Sequence, residues 1–245
     1  MDGYSPVIEV FVTNLGKYAG GDPCGEWLTL PTTTEDVQKL LARIGVDGVR
    51  YEEISITDYE TTVPGLCDKL GEHENLDELN YLAEQLSELS HPLLGDSLIV
   101  QFTAAVEHSG ASSAKDLINI IRNLDDYIHH PDVDDYEALG LYLVNECCAL
   151  DIPDNIEPYF DYEAYGESCA INAGGRFTSK GYVERGQCDI AERYSGRDDI
   201  PDEYRVFAYP PLEKSIKKTL ASYTQEADET PAADQHHTQP DYADR

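Results

Sequence analysis

The sequence predicts an α+β fold, and three patterns lead to that prediction. β-Branched and apolar residues form short strand-like runs within the first 60 residues, with one helical pattern between them. From residue 75 to residue 145 apolar residues recur every three or four positions, as on the buried face of a helix. A segment flanked by glycines, 174–183, has the pattern of a β-hairpin. Because strand and helix patterns occupy separate stretches, the class is α+β.

An N-terminal α+β module is predicted for residues 5–63. Residues 7–12 are β-branched and apolar, which favours a strand, and 25–30 can return beside them after a turn that contains glycine and proline. Apolar and polar residues alternate over 51–57, which indicates a third strand.

One helix of this module lies between the second and third strands. Thr33 or Thr34 is expected to cap its first turn, and Gly45 is expected to end it. Acidic residues in the first turn suit the helix dipole. The apolar stripe that faces the sheet consists of Val37, Leu40, Leu41 and Ile44.

A central helical module is predicted for residues 64–110. Asn75 is expected to cap its first helix, Pro92 and Gly95 interrupt the pattern, and a second helix follows over 98–110. The buried face of the first helix is lined by Leu76, Leu79, Leu82, Leu86 and Leu89. The acids expected elsewhere on its surface are Asp77, Glu78, Glu84 and Glu88.

A C-terminal α+β module is predicted for residues 111–186. Ser113 is expected to cap one helix, and Asp134 or Asp135 a second. The hairpin at 174–183 contains Gly, Lys and Ser, but their order and the absence of a following helical pattern distinguish it from a phosphate-binding loop.

Residues 187–245 are predicted to form a flexible C-terminal extension. A helical pattern with lysines on one face occurs over 212–223. From about residue 225 almost no apolar residue remains, so the end of the chain is expected to be disordered.

Composition predicts a cytoplasmic protein that contacts no membrane. There is no run of about 18 apolar residues, and the N-terminus lacks the basic and apolar regions of a signal peptide. The six cysteines form no CxxC pair, so we expect free thiols that are mostly packed. Cys147 and Cys148 are expected to be buried on an apolar helix.

Negative charge is concentrated in one part of the chain. The sequence has 48 Asp and Glu against 17 Lys and Arg, a net charge of −31. Between Glu52 and Glu167 there are 27 carboxylates and three cations, a net charge of −24. Such charge repels nucleic acid and anionic membranes and favours a basic partner. Because duplex DNA carries one charge per ~1.7 Å of axis, 24 charges match roughly 40 Å of duplex.

The sequence indicates no catalytic residue, no metal ligand and no cofactor. The common phosphate-loop, dinucleotide, serine-hydrolase and metalloprotease motifs are missing. Asp132, Asp134 and Asp135 lack the glycine and the glutamate of a calcium-binding loop. His129 and His130 are adjacent, and on a strand their side chains point in opposite directions.

Five segments carry a resemblance to a known family. Residues 10–18 (VFVTNLGKY) and 25–31 (GEWLTLP) are similar to the opening of ArdA antirestriction proteins, which mimic DNA, and 52–60 (EEISITDYE) to the family's next segment. Residues 159–167 (YFDYEAYGE) and 175–183 (GRFTSKGYV) resemble the C-terminal signature of the same family. The five segments occur in the family's order.

The resemblance implies an elongated, curved protein of three small modules in a row that dimerises through its C-terminal module. It implies a non-enzymatic protein that occupies the DNA-binding groove of a type I restriction-modification enzyme, on its methyltransferase and specificity core. Such a protein binds no nucleic acid itself. In a homodimer, twice 24 charges would correspond to roughly 80 Å of duplex.

The residues expected to form the acidic binding surface act collectively, so each alone contributes little. They are Glu52, Glu53, Asp58, Glu60, Asp77, Glu78, Glu84, Glu88, Asp116, Asp125, Asp126, Asp132, Asp134, Asp135, Glu137, Asp154, Glu157, Asp161 and Glu163. Two alternatives stay open at this point. One is an acidic enzyme of the halophilic type with an unrecognised site, and the other is an acidic chaperone of basic DNA-binding proteins.

Overall fold

A computed structural model of the protein describes residues 8–90, 97–186 and 191–211. It confirms the α+β class, with helices and two small antiparallel sheets. The strands are β1 (Ile8–Asn14), β2 (Gly25–Leu30), β3 (Ile54–Thr61), β4 (Tyr127–His130), β5 (Arg176–Thr178) and β6 (Gly181–Arg185). The helices are α1 (Leu15–Ala19), α2 (Thr34–Ile44), α3 (Leu76–Leu89), α4 (Ser97–His108), α5 (Ala114–Arg122), α6 (Tyr136–Asn145) and α7 (Tyr162–Ala173).

The N-terminal sheet has the strand order β2-β1-β3, with both pairs antiparallel. Alternate residues of β1, namely Ile8, Val10 and Val12, are fully buried. They belong to the same apolar core as the stripe of α2. β2 has its expected bounds, β1 continues to Asn14, and β3 begins at Ile54 rather than at residue 51.

The predicted boundaries of α2 are confirmed by its capping interactions. The Thr33 hydroxyl accepts a hydrogen bond from the Asp36 N–H at 3.3 Å, which satisfies a donor of the first turn. Gly45 ends the helix with φ of 80°, a left-handed conformation that glycine adopts without steric cost.

The helices α3, α4 and α5 share one continuous apolar core with the N-terminal sheet. The expected caps of α3 and α5 are present, since Asn75 accepts from the Asp77 N–H and Ser113 from the Asp116 N–H. The core extends from Ile8 to Val206 and therefore crosses the module boundaries predicted after residues 63 and 110. Pro92 and Gly95 lie outside the described residues.

The second sheet has the strand order β4-β6-β5 and contains the expected hairpin. β4 was not predicted from the sequence, because it has only four residues and two of them are histidines. Nor was α7 predicted, whose apolar residues form no clear stripe. The local signals for α7 were the cap by Asp161, which accepts from the Ala164 N–H, and the left-handed Gly174 at its end.

α6 and α7 approach each other closely through glycine. A Cβ atom added to Gly140 would collide with the Tyr162 carbonyl, and one added to Gly166 would collide with the Tyr136 carbonyl. The two helices thus pack backbone against backbone. Beside this contact, a small second core is formed by Val133, Leu139, Ala170 and Tyr182.

The C-terminal strap, which we define as residues 191–211, packs against the main core. Tyr194, Ile200 and Val206 are buried there. The strap has two short 3-10 turns and no α-helix. This agrees with the weak periodicity of its sequence, from which its ordered contacts could not be predicted. The helix and the disordered end that were predicted over 212–245 lie outside the described residues.

The exposure of two cysteines corrects an expectation. Cys147 and Cys148 follow α6 and are exposed, because the helix ends at Asn145 and Cys148 takes a positive φ of 52°. Five cysteines, Cys24, Cys67, Cys147, Cys148 and Cys169, are free thiols, as expected, and the sixth lies outside the described residues.

Among residues 8–90, 97–186 and 191–211, no helix is long and apolar enough to span a bilayer.

Replacing Gly166 by alanine is expected to destabilise the C-terminal sheet and helix pair. The new methyl group meets the Tyr136 carbonyl, so α6 and α7 must separate, at a cost of about 1–3 kcal/mol. Chemical denaturation measures this change. Gly110→Ala is the control, since its Cβ has no neighbour within 4 Å in the described structure. Equal stability of the two variants would contradict the close packing.

Candidate acidic interaction surface

Most of the carboxylates singled out from the sequence are exposed. Four are half-buried, namely Glu78, Glu84, Asp116 and Asp126, and Asp77 is buried. The fourteen exposed ones are Glu52, Glu53, Asp58, Glu60, Glu88, Asp125, Asp132, Asp134, Asp135, Glu137, Asp154, Glu157, Asp161 and Glu163.

The outer face of the N-terminal sheet carries several of these acids. Asp58 and Glu60 lie on β3, where they are paired in register with Phe11 and Glu9 of β1. Glu9 and Glu60 are like charges directly opposite each other, an arrangement that is unfavourable in the isolated protein. Glu9 lies before the acidic window and was not among the carboxylates selected from the sequence. Its outward position could have been predicted, because a residue between the buried Ile8 and Val10 must face outward.

The same sheet face presents aromatic surface. Trp27 of β2 is exposed and packs edge-on against Phe11, with ring centroids 5.3 Å apart. Thr29 donates a hydrogen bond to Glu9 at 2.9 Å. The face therefore combines carboxylates with an exposed indole.

A second group of acids lies at the start of α6. The Asp135 carboxylate accepts the Ala138 N–H at 2.8 Å and so caps the helix. Asp132, Asp134 and Glu137 are exposed around it. Negative charge is favourable at a helix N-terminus, which helps to explain how the chain tolerates four acids within six residues.

A third group lies around the start of α7. Asp161 caps this helix, and Glu163 follows in its first turn. Glu157 and Tyr159 belong to the preceding 3-10 turn, in which the Tyr159 side chain is 85% exposed. This tyrosine differs from the others of the acidic window, which are buried or half-buried and contribute to packing: Tyr59, Tyr81, Tyr127, Tyr136, Tyr142, Tyr162 and Tyr165.

Few of the site acids are neutralised by a neighbouring cation. Within the described part of the chain, two of the nineteen form ion pairs: Asp77 with Arg197 at 2.6 Å and Asp126 with Arg193 at 3.9 Å. The other ion pairs between described residues involve acids outside the set, such as Glu26 with Arg43. The exposed site acids consequently repel one another across solvent.

Asp77 corrects the sequence analysis, which placed it on the exposed surface of the first central helix. Its side chain is fully buried because the C-terminal strap covers it. One carboxylate oxygen accepts the N–H groups of Val206 and Phe207, each at 2.7 Å, and the other accepts from Arg197. Asp77 is therefore a structural carboxylate and not part of an exposed array.

Glu78 and Asp126 also face the strap. The Glu78 carboxylate accepts a hydrogen bond from the Tyr194 hydroxyl at 2.8 Å. Burial, and after it this carboxylate, raise the pKa of Tyr194, so the phenol stays protonated and acts as the donor. Both acids are half-buried, and the strap limits their access to any partner.

An open cavity of about 430 Å³ lies beside α5, with Asp116, His108, Tyr127 and Arg185 in its lining. The His108 ring contacts the Gly174 carbonyl at 2.9 Å. Within the described residues, this cavity is one place where the alternative of an unrecognised enzyme can be sought. Among the residues that the structure describes, no three Asp, Glu, His or Cys side chains are grouped so that they could hold a metal ion.

The histidine pair on β4 is explained by local packing. The His129 ring contacts the Lys180 carbonyl at 2.6 Å, while His130 packs on the Tyr142 and Tyr182 rings. Burial lowers the pKa of His130 below its ordinary value of 6.5. The two rings therefore serve the second sheet and its small core.

Comparison with known proteins gives one clear match. A family model described as "Antirestriction protein (ArdA)" matches residues 10–184. Within the described residues, the match includes nearly all of both sheets and the seven α-helices, and it ends before the C-terminal strap. No protein of curated function is significantly similar to the chain.

Added salt is expected to raise the thermal stability of the protein. Lowering the Debye length from about 30 Å at 0.01 M salt to about 8 Å at 0.15 M screens the repulsion between unpaired carboxylates. Melting followed by circular dichroism at these two salt concentrations measures the effect. A folded protein at the lower concentration would also count against the halophilic alternative. A melting temperature that does not change would contradict strong repulsion.

Proposed function

This chain belongs to the ArdA antirestriction family, and on that premise we propose that it is a DNA mimic that inhibits type I restriction-modification enzymes. Family membership gives the antirestriction function and an interaction with restriction enzymes. Our proposal adds the mode of action: the chain occupies the groove in which the methyltransferase and specificity core holds DNA. The partner surface is therefore basic, and the site of action is the cytoplasm.

The observation that carries the proposal is the large set of exposed carboxylates that have no cationic partner among the residues the structure describes. Fourteen such groups extend from Glu52 to Glu163. A groove that binds DNA neutralises phosphates with Lys and Arg, and each unpaired carboxylate can take the place of one phosphate charge. The repulsion among these acids is relieved when the basic partner binds.

The proposed mechanism is competition and involves no chemistry by the chain itself. Long-range attraction between surfaces of opposite charge speeds encounter, so association is expected to be fast and to weaken with salt. Aromatic side chains such as Trp27 and Tyr159 add contact area between the charges. Because many weak contacts act together, one substitution changes affinity little.

We further propose that the protein is a homodimer that associates through its C-terminal module. Several large apolar side chains are exposed in this module, and a dimer interface would bury them. They are Leu141, Leu150, Ile156, Tyr159 and Ile171. Ile171 of α7 has the largest exposed fraction of the aliphatic residues among them, 70%. A dimer would place two acidic surfaces on one particle.

Removal of one acidic cluster is expected to weaken inhibition in a graded way. The variant carries Asp132→Asn, Asp134→Asn and Glu137→Gln and keeps the Asp135 cap. Exposed charge pairs contribute about 0.2–1 kcal/mol each, so the three changes together lower affinity about tenfold. The measurement is displacement of DNA from a purified type I methyltransferase core at low and at moderate salt.

The matched control removes three exposed acids from the strap, with Asp198→Asn, Asp202→Asn and Glu203→Gln. The change in charge is the same, but these positions lie outside the acidic window, so we expect a smaller loss of affinity. Failure of the unmodified protein to displace DNA at low salt would refute the proposal. Recovery of basic architectural proteins instead of a restriction enzyme in pull-down would favour the chaperone alternative.

Ile171→Glu is expected to convert the dimer into a monomer. A buried, unpaired charge at the centre of an apolar interface is costly, whereas the same charge on a free surface is tolerated. Val49→Glu, which adds a charge at an exposed site of the N-terminal module, is the control and should stay dimeric. Sedimentation equilibrium gives the masses. The dimer proposal fails if the unmodified chain sediments as a monomer.

A further inference from the structure

The C-terminal strap lies outside the residues that match the family, yet it is bound by the side chains of two helices. We define the α3–α5 face as Asp77, Asn80 and Tyr81 of α3 with Asn119 and Arg122 of α5. All five contact the strap through hydrogen bonds or aromatic rings. The nature of these contacts shows which kind of ligand the face recognises.

Asparagine side chains bind the backbone of the strap. Asn119 binds both backbone groups of Tyr194, donating to its carbonyl at 2.8 Å and accepting its N–H at 3.0 Å. Asn123, at the end of α5, donates to the Ala191 carbonyl at 3.0 Å, and Asn80 to the Tyr204 carbonyl at 3.1 Å. Amide groups that pair with backbone N–H and C=O in this way bind a peptide main chain as a neighbouring strand does.

A pocket receives the Tyr194 side chain. The ring is fully buried, with the Tyr81 ring 6.3 Å away and the Arg122 guanidinium 5.2 Å from its centroid. Its hydroxyl donates to Glu78. A buried aromatic ring that contacts both another ring and a guanidinium, with its polar end satisfied, is the pattern of a specific side-chain subsite.

A second subsite is formed by the Asp77 carboxylate. It binds the Arg197 guanidinium and the two N–H groups of Val206 and Phe207, so all three contacts are charge-assisted hydrogen bonds. Gly196 precedes the arginine with φ of 142°, a value that favours glycine. The recognised feature is thus a tyrosine followed after two residues by an arginine, with a glycine between them.

The far end of the strap reaches the N-terminal module. The Tyr209 hydroxyl donates to the Glu52 carbonyl at 2.9 Å, and Gln38 of α2 donates to the Tyr209 carbonyl. The Tyr209 ring packs on Gly48, where a Cβ atom would collide with it. The strap therefore links α5, α3 and the N-terminal sheet unit.

We propose that the α3–α5 face is a binding site for an extended peptide and that the chain's own strap fills it as a clasp across the predicted modules. The occupant comes from the same molecule because the connection is short. The Gly186 N–H is bound to the Asp126 carbonyl, and Ala191 is held by Asn123. Four residues suffice to join these neighbouring points. The site does not depend on the DNA-mimic proposal.

The test uses the full chain with a specific protease site placed in residues 187–190. After folding and cleavage, the fragment that begins at Ala191 is expected to stay bound through gel filtration at micromolar concentration. Asp77→Asn removes the charge that holds Arg197 and two N–H groups, so the fragment should dissociate at least about tenfold more readily. Tyr194→Phe, which loses only the bond to Glu78, should give a smaller, several-fold loss.

The matched control is Asp202→Asn. Its carboxylate is exposed and pairs within the strap with Arg205, so this variant should retain the fragment as the unmodified protein does. Should Asp77→Asn fail to fold, Tyr194→Phe still provides the comparison. Release of the fragment from the unmodified protein on cleavage, or equal retention by all variants, would overturn the proposal.

A strap exchanged between two copies is a distinct outcome of the same test. In the Ile171→Glu background, an exchanged strap would hold two chains together until cleavage. Sedimentation as a dimer before the cut and as single chains after it would overturn the assignment to the same molecule. A monomer at both stages, with the fragment retained, supports the clasp. Neither outcome depends on whether the protein inhibits a restriction enzyme.

Discussion

Repulsion between carboxylates is the constraint under which this chain folds. With a net charge of −31, the compact state is opposed by its own field, and the apolar core must outweigh that cost. The main core is continuous, since one cluster of buried apolar residues extends from β1 to Val206, and its burial opposes the repulsion. Separate small cores in three modules would each bury less apolar surface, and small domains are the hardest to stabilise.

Several cations of the described chain join separate elements of the fold. Arg43 joins α2 to β2 through Glu26, and Arg197 joins the strap to α3 through Asp77. Arg122 binds the strap carbonyl of Arg193 and lies over two tyrosine rings. These cations therefore serve the fold, and many of the exposed acids are left without partners. Such a division is expected of a surface whose neutralising charges come from a basic partner.

The sequence predicted the elements that have strong local signals and missed those that depend on tertiary contacts. Capped helices such as α2 and α3 were located to within a residue or two, because the capping residue, the apolar stripe and the residues that end the helix all lie close together in the sequence. In contrast, β4 is a strand because β6 pairs with it, and α7 is positioned by the contact between Gly140 and Gly166. Neither cause is visible in a local pattern.

The same limit applies to the acidic surface, where identical residue types have opposite roles. Asp77 looked like an exposed helix acid, but the strap, more than a hundred residues away in sequence, buries it and supplies its partners. A buried carboxylate is tolerated only when its charge is paired and its oxygens are hydrogen-bonded, and Asp77 meets both conditions. Glu9 lies outside the acidic window and yet faces solvent opposite Glu60. The strap thus buries Asp77 and limits access to Glu78 and Asp126, whereas the acids on the outer face of the N-terminal sheet and at the start of α6 stay exposed.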